Sequence, residues 1–177
     1  MEVTNGDGDQ YESDDGFTRL QDMANTLRQD RKTMYLIGNG ASASLASHYS
    51  ADLAKNGHIH TQVFSDLSLI TALSNDIGYD FVFSIPIERR AVPGDMLVAI
   101  SSSGRSRNIL NAVAAARRMG VTVVTLSAMD SDNPLRAFGA LNFYIPAKTY
   151  GHAETGHAAI MHHLMDKLDI SSSQTEC

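Results

Sequence analysis

Five short apolar runs, rich in β-branched residues, recur along this chain, and between them the pattern turns helical. The runs are "MYLI" (34–37), "TQVF" (61–64), "MLVAI" (96–100), "VTVVTL" (121–126) and "LNFYI" (141–145). Helical patterns cover about 17–30, 42–56, 66–74, 106–119, 133–138 and 153–169. A strand that is apolar at nearly every position is covered on both faces, and alternation with crossover helices makes its sheet parallel. The expected class is therefore α/β: a doubly wound, five-stranded parallel sheet flanked by helices, flavodoxin-like. Sheets of this kind bind ligands at the carboxyl ends of their strands, near the topological switch point. That rule singles out the turns after "MYLI" and after "MLVAI". Pro86 interrupts an otherwise helical stretch, so a helix there kinks or restarts at the proline.

The 177 residues, 43% of them hydrophobic, suit one domain, expected over 17–170. Residues 1–16 are acidic and glycine-rich and are expected to be mobile; the tail 171–177, "SSSQTEC", is expected to be disordered. A net charge of −6 without a basic run argues against a nucleic-acid surface. No apolar stretch approaches the roughly 20 residues of a membrane span. The N-terminus has no apolar signal-peptide core. The only cysteine is Cys177, so a disulfide framework is ruled out and a reducing, cytoplasmic setting is expected.

The second turn, residues 101–106, reads "SSSGRS". It follows a buried strand and opens a helix, where unpaired N–H groups and a partial positive charge favour an anion. Gly104 permits a tight turn. Ser101, Ser102, Ser103 and Ser106 supply hydroxyls for phosphate oxygens, and Arg105 adds charge or faces solvent. The competing reading is a plain loop in which Ser106 caps the next helix. The first turn, "GNGASAS" (38–44), follows the same logic: Gly38 and Gly40 allow close approach, Asn39 can hydrogen-bond a hydroxyl, and Ser42 can bind or cap. It is not a dinucleotide fingerprint, because Ala43 stands where glycine is needed, and no G-K-[ST] follows. Two hydroxyl-rich turns without a nucleotide motif point to a small phosphorylated ligand.

His48 and Asp52 share one face of the helix leaving the first turn, a spacing that suits two metal ligands, a base with its partner, or an exposed pair. The last helix carries Glu154, His157, His162 and His163 beside a stripe of Ile160, Met161, Leu164, Met165 and Leu168. His157 reads as a satisfied core or interface residue, His162 as facing a cleft, and His163 as solvated. Glu154 and His162 are eight residues apart, so about 12 Å along one straight helix. For both to serve one site, Glu154 would have to precede the helix and fold back, or a neighbouring subunit would have to supply one of the two.

The segments "GNGASASLASHYSADL", "LSNDIGYDFVFS", "PGDMLVAISSSGRSRNILNAVAAARRMG" and "HAETGHAAIMHHLMDKL" resemble the sugar isomerase (SIS) domain family. Within it they resemble the sedoheptulose 7-phosphate isomerases, also called phosphoheptose isomerases, over about residues 34–168. The resemblance implies an aldose–ketose isomerase working through an enediol, active as a homotetramer or dimer with sites at subunit interfaces. It places the active-site set on His48, Asp52, Glu154 and His162, with Asp52 as general base and His162 as acid/base. The same four residues would ligate a Zn²⁺ ion. Asn39, Gly40, Ser42, Asn75, Asp76, Ser101, Ser102, Ser103, Ser106 and Glu154 would bind substrate, although Asn75 and Asp76 also suit an Asx turn. Two positions depart from the family: Asp52 stands for the usual Glu and Glu154 for the usual Gln. They keep two alternatives open: an isomerase of another phosphosugar, and a non-catalytic phosphosugar-binding or replication-initiator-regulating protein.

Overall fold

A computed structural model describes the backbone of residues 1–173 and the side chains of 1–168. Seven strands form one sheet: β1 (Glu2–Asn5), β2 (Gln10–Tyr11), β3 (Thr33–Gly38), β4 (His60–Val63), β5 (Met96–Ser101), β6 (Thr122–Ala128) and β7 (Leu141–Ile145). Six helices accompany them: α1 (Ser13–Gln29), α2 (Ala41–Lys55), α3 (Leu67–Asp76), α4 (Ser84–Arg90), α5 (Arg107–Arg118) and α6 (Tyr150–Ser173). Short 3₁₀ turns cover Tyr79–Phe81 and Pro134–Ala137. Pro86 lies in the first turn of α4, where its missing N–H costs nothing.

The strand order is β2-β1-β7-β6-β5-β3-β4. The expected parallel strands are all present, from β7 to β4, and their order is the doubly wound one, with the switch point between β3 and β5. Alternate strand residues feed two cores. Met34, Leu36, Met96, Val98 and Ile100 pack with α1, α2 and α6. Tyr35, Ile37, Leu97 and Ala99 pack with α4 and α5 on the other face. This double burial is why the runs carry almost no polar residue.

Two expectations need correction. The sheet has seven strands rather than five, because residues 2–5 and 10–11 form an antiparallel hairpin on the β7 edge. Residues 1–16, expected to be mobile, are therefore tied into the sheet, and α1 already begins at Ser13. The physical reasons lie far along the chain. Val3 is fully buried. The buried Asn142 amide donates to the carbonyls of Asn5 (3.1 Å) and Gly139 (3.0 Å), while its oxygen accepts from Thr125 Oγ1 at 2.7 Å. Arg136 pairs with Glu2 and lies over the Tyr144 ring. At the other end, helix α6 runs to Ser173; the rest of the expected tail, 174–177, lies outside the described residues.

Candidate active site

The serine turn closes on itself through glycine and polar contacts. Gly104 has φ +60°, and a Cβ there would run into the Asn133 side chain. Its N–H donates to the Ser101 carbonyl at 3.0 Å. Ser106 is the N-cap residue of α5 yet makes no capping hydrogen bond. Its hydroxyl lies 3.5 Å from Ser101 Oγ, too long for a strong hydroxyl–hydroxyl bond, so both remain open to a ligand. The capping reading is thus not the one the geometry supports. Arg105 turns away: its Nη2 donates to Asp132 Oδ1 at 2.7 Å and its Nε lies 3.8 Å from Asp130.

These residues wall an open cavity of about 490 Å³, lined by Asn39, Ser42, Ile100, Ser101, Ser102, Ser103, Ser106, Tyr150 and Glu154. It lies at the switch point, where α2, α5 and α6 begin. Four hydroxyl groups of one loop and helix N-termini offer N–H and O–H donors, an arrangement suited to a phosphate without an arginine. The first turn adds close packing. A Cβ on Gly38 would meet the Ser42 backbone at 2.6 Å, and Gly40 is the α2 N-cap at φ 55°.

Asn39 is held in a reciprocal amide pair. Its Nδ2 donates to Asn108 Oδ1 at 3.0 Å, and Asn108 Nδ2 donates back to Asn39 Oδ1 at 2.9 Å. Tyr79 donates its hydroxyl to the same Asn39 oxygen at 2.9 Å. Asn39 also borders a second, mainly apolar cleft of about 550 Å³ at the ends of β3 and β4, lined by Val63, Phe64, Ile70, Tyr79 and Phe83 among others.

A second cluster forms farther along α2 and α6. His48 Nε2 lies 3.4 Å from Asp52 Oδ2. The His48 and His162 rings stand edge to face with centroids 5.9 Å apart, and Tyr49 packs against both at 4.9 and 5.1 Å. Tyr49 fixes the two helices together by donating to the Ala158 carbonyl at 2.8 Å. Burial, with the Asp52 charge adding, pushes the Tyr49 hydroxyl up to about 12, so it remains a donor. His48 is exposed and Asp52 half-buried, leaving both accessible.

Of the expected residues, Asn39, Ser42, Ser101, Ser102, Ser103, Ser106 and Glu154 come together at the serine cavity, while Gly40 lines the neighbouring apolar cleft, which Asn39 also borders. His48, Asp52 and His162 gather in the second cluster. Asn75 and Asp76 join neither: they end α3, exposed, and bond each other at 2.8 Å. The four-residue set expected to bind Zn²⁺ is not assembled within one chain. Glu154 lies inside α6, not before it, so two helical turns separate it from His162. Among the described residues no three His, Cys, Asp or Glu side chains converge on a metal-sized position. His157 is fully buried as expected, and among the described residues neither ring nitrogen makes a hydrogen bond of good geometry. Burial holds its pKa below the ordinary value, and the approach of the Ser127 backbone as a marginal hydrogen-bond partner acts in the opposite direction. His163, read as solvated, is exposed with its ring over Phe17 at 4.2 Å. Sequence reasoning missed Tyr79, Asn108 and Tyr150. Tyr150 was findable, four residues before Glu154 on one helix face; the other two carried no local signal.

Known proteins share this architecture. The SIS domain family model matches residues 12–128. The phosphoheptose isomerase of Campylobacter concisus is 34% identical over 155 residues, covering 84% of this chain and 81% of that protein. The phosphoheptose isomerase of Coxiella burnetii is 35% identical, covering 83% and 77%. In three dimensions the phosphoheptose isomerase of Neisseria gonorrhoeae superposes with a TM-score of 0.80 at 27% identity, covering 88% of this chain and 86% of that one. A serine cavity at the switch point and an Asp–His cluster on the flanking helix pair, joined to likeness over most of the chain, lead to one assignment: this chain belongs to the SIS domain family and, within it, to the phosphoheptose isomerases.

Proposed function

We propose that this chain is an aldose–ketose isomerase that interconverts sedoheptulose 7-phosphate and D-glycero-D-manno-heptose 7-phosphate through an enediol. One observation carries the reading: the same two helices line the hydroxyl-rich cavity, α2 with Ser42 and α6 with Tyr150 and Glu154, and each brings an acid/base residue to the cluster beyond. The cavity holds the phosphate, whose binding orients the reacting end of the sugar. Asp52 takes the C1 proton of the ketose; the C1–H electrons form the C1=C2 bond, and His162 protonates O2. In the second half His162 removes the O1 proton, the aldehyde forms at C1, and Asp52 returns a proton to C2. His48, 3.4 Å from Asp52, orients that carboxylate between the two carbons.

Within one chain Ser42 and Asp52 are ten residues apart, about 15 Å along α2, and Glu154 and His162 about 12 Å along α6. That separation supports a site completed by a second copy, hence a homotetramer or dimer. The apolar helix α3, which buries no residue, and exposed Leu67, Ile77 and Phe81 support the same reading. A Zn²⁺ ion held by all four expected ligands would need Glu154 from one chain and the other three from its neighbour. The donor set of one chain does not fit it, and the steps above use no metal. No helix among the described residues is long and apolar enough to cross a membrane. A cytoplasmic role in making heptose precursors fits the reading.

The test is aldose formation from sedoheptulose 7-phosphate by the purified protein, beside Asp52→Asn. The expected result is turnover that drops by about 10²- to 10⁴-fold in the variant. Absence of turnover in the folded wild-type oligomer would sink this substrate assignment.

A further inference from the structure

Among the described residues, Asn39 is the one side chain that borders both the serine cavity and the apolar cleft. Its orientation is fixed by a chain of hydrogen bonds whose polarity starts from the backbone. The Ile109 N–H, in the first turn of α5, donates to Asn108 Oδ1 at 2.9 Å. That bond identifies which Asn108 atom is the oxygen, so its Nδ2 must be the group that donates to Asn39 Oδ1. The Asn39 oxygen is thereby identified, and Tyr79, from the 3₁₀ turn after Gly78, can only donate to it. The second N–H of the Asn39 amide makes no hydrogen bond among the described residues. It is left for a ligand in the cavity.

Tyr79 is a costly residue to place here unless the bond matters. It is 53% exposed, and its hydroxyl reaches across 40 positions of sequence to the turn after β3. We infer that Tyr79 is a positioning residue: through its hydrogen bond to Asn39 it locks that amide, with Asn108, in the orientation that receives the phosphosugar. A pre-set amide avoids losing rotamer freedom when the ligand arrives, which strengthens binding without a new contact. The inference rests on the isomerase reading for its substrate, but the relay itself does not depend on which sugar is used.

Tyr79→Phe removes one hydroxyl from an exposed side chain, so the melting temperature stays at the wild-type value. The expected effect is a KM for sedoheptulose 7-phosphate about three- to tenfold higher, the loss of one hydrogen bond, with kcat unchanged within about twofold. In an Asn39→Ala background the same substitution has no further effect, because its route of action is gone. Inorganic phosphate, titrated while the amide resonances of residues 101–106 are followed, should show the same order of affinities without any turnover. Wild-type kinetics and phosphate affinity in Tyr79→Phe would overturn the inference, as would effects of Tyr79→Phe and Asn39→Ala that simply add. If wild type binds phosphate but does not convert the heptulose, the substrate assignment falls. Weakened phosphate binding through Asn39 in that case still supports the relay. A wild-type chain that binds no phosphate overturns both.

Discussion

Glu154 and His162 stand two turns apart on one helix, the first lining the serine cavity and the second edge-on to His48. A single α6 therefore serves two neighbourhoods. If two copies pair the cavity of one with the cluster of the other, a chain damaged only in the cavity and a chain damaged only in the cluster should rescue each other. Ser103→Ala/Ser106→Ala and His162→Ala, each nearly inactive alone, are expected to recover turnover after being unfolded and refolded together. Activity that stays absent in the mixed oligomer would place the whole site within one chain.

Glu154 brings a carboxylate to a cavity whose other polar groups are neutral, and Arg105, the cation within the serine turn, is engaged by Asp130 and Asp132. Replacing that carboxylate with the neutral amide of the same shape removes repulsion toward a phosphate dianion. Glu154→Gln should bind inorganic phosphate about three- to tenfold more tightly, an effect that shrinks as salt is raised. Isothermal titration at two ionic strengths reads both parts. Weaker binding would mean that the carboxylate accepts a hydrogen bond from the ligand.

Gly104 combines a left-handed backbone with a Cβ position already taken by Asn133. Asn133 is buried and holds the loop by donating to the Asp130 carbonyl at 2.8 Å and accepting from the Arg136 N–H at 3.1 Å. Gly104→Ala is expected to cost about 1–3 kcal/mol of stability from backbone strain, and to weaken phosphate binding as well. Urea unfolding at pH 8 measures the first. An unchanged midpoint would mean that the turn relaxes without penalty.

The buried His157 imidazole makes stability depend on pH. Its folded pKa lies below the ordinary 6.5 because burial disfavours the cation, so the unfolded chain takes up the proton first. Its contribution is therefore flat above about pH 7.5, falls as pH drops through 6.5, and levels off below the folded pKa. The difference in urea midpoint between wild type and His157→Leu should shift toward the variant on acidification from pH 8 to pH 5. A difference that stays constant across that range would show that the ring is not buried neutral in solution.

How much of this could be read beforehand followed from where the information lies in the chain. The parallel strands β3, β5, β6 and β7 were legible because double burial writes itself as apolar runs, and the partly buried edge strand β4 by its short β-branched run. The strand β1 was not: "EVTN" buries one apolar residue, and its place depends on Asn142 and Arg136, more than 130 positions away. Counting residues exposed the conflict between Glu154 and His162, but which neighbour each faces is a property of packed helices. The serine turn showed its cluster of hydroxyls by composition. The relay behind it did not, because Asn108 reads as an ordinary polar residue at a helix start and Tyr79 as one more aromatic in a turn.

The pairing of β1 with β7 also orders events in time. Of the strands among the described residues, 2–5 is synthesised first, yet its partner, 141–145, is synthesised last. Until β7 has emerged, β1 has nothing to add to, and the Asn142 amide that clasps it does not yet exist. Closing that long interval carries an entropic cost that only the nearly finished sheet can offset. The seal on the sheet edge is thus a late step of folding, and a nascent chain stalled before residue 141 would leave the β6 edge open to pairing with other chains.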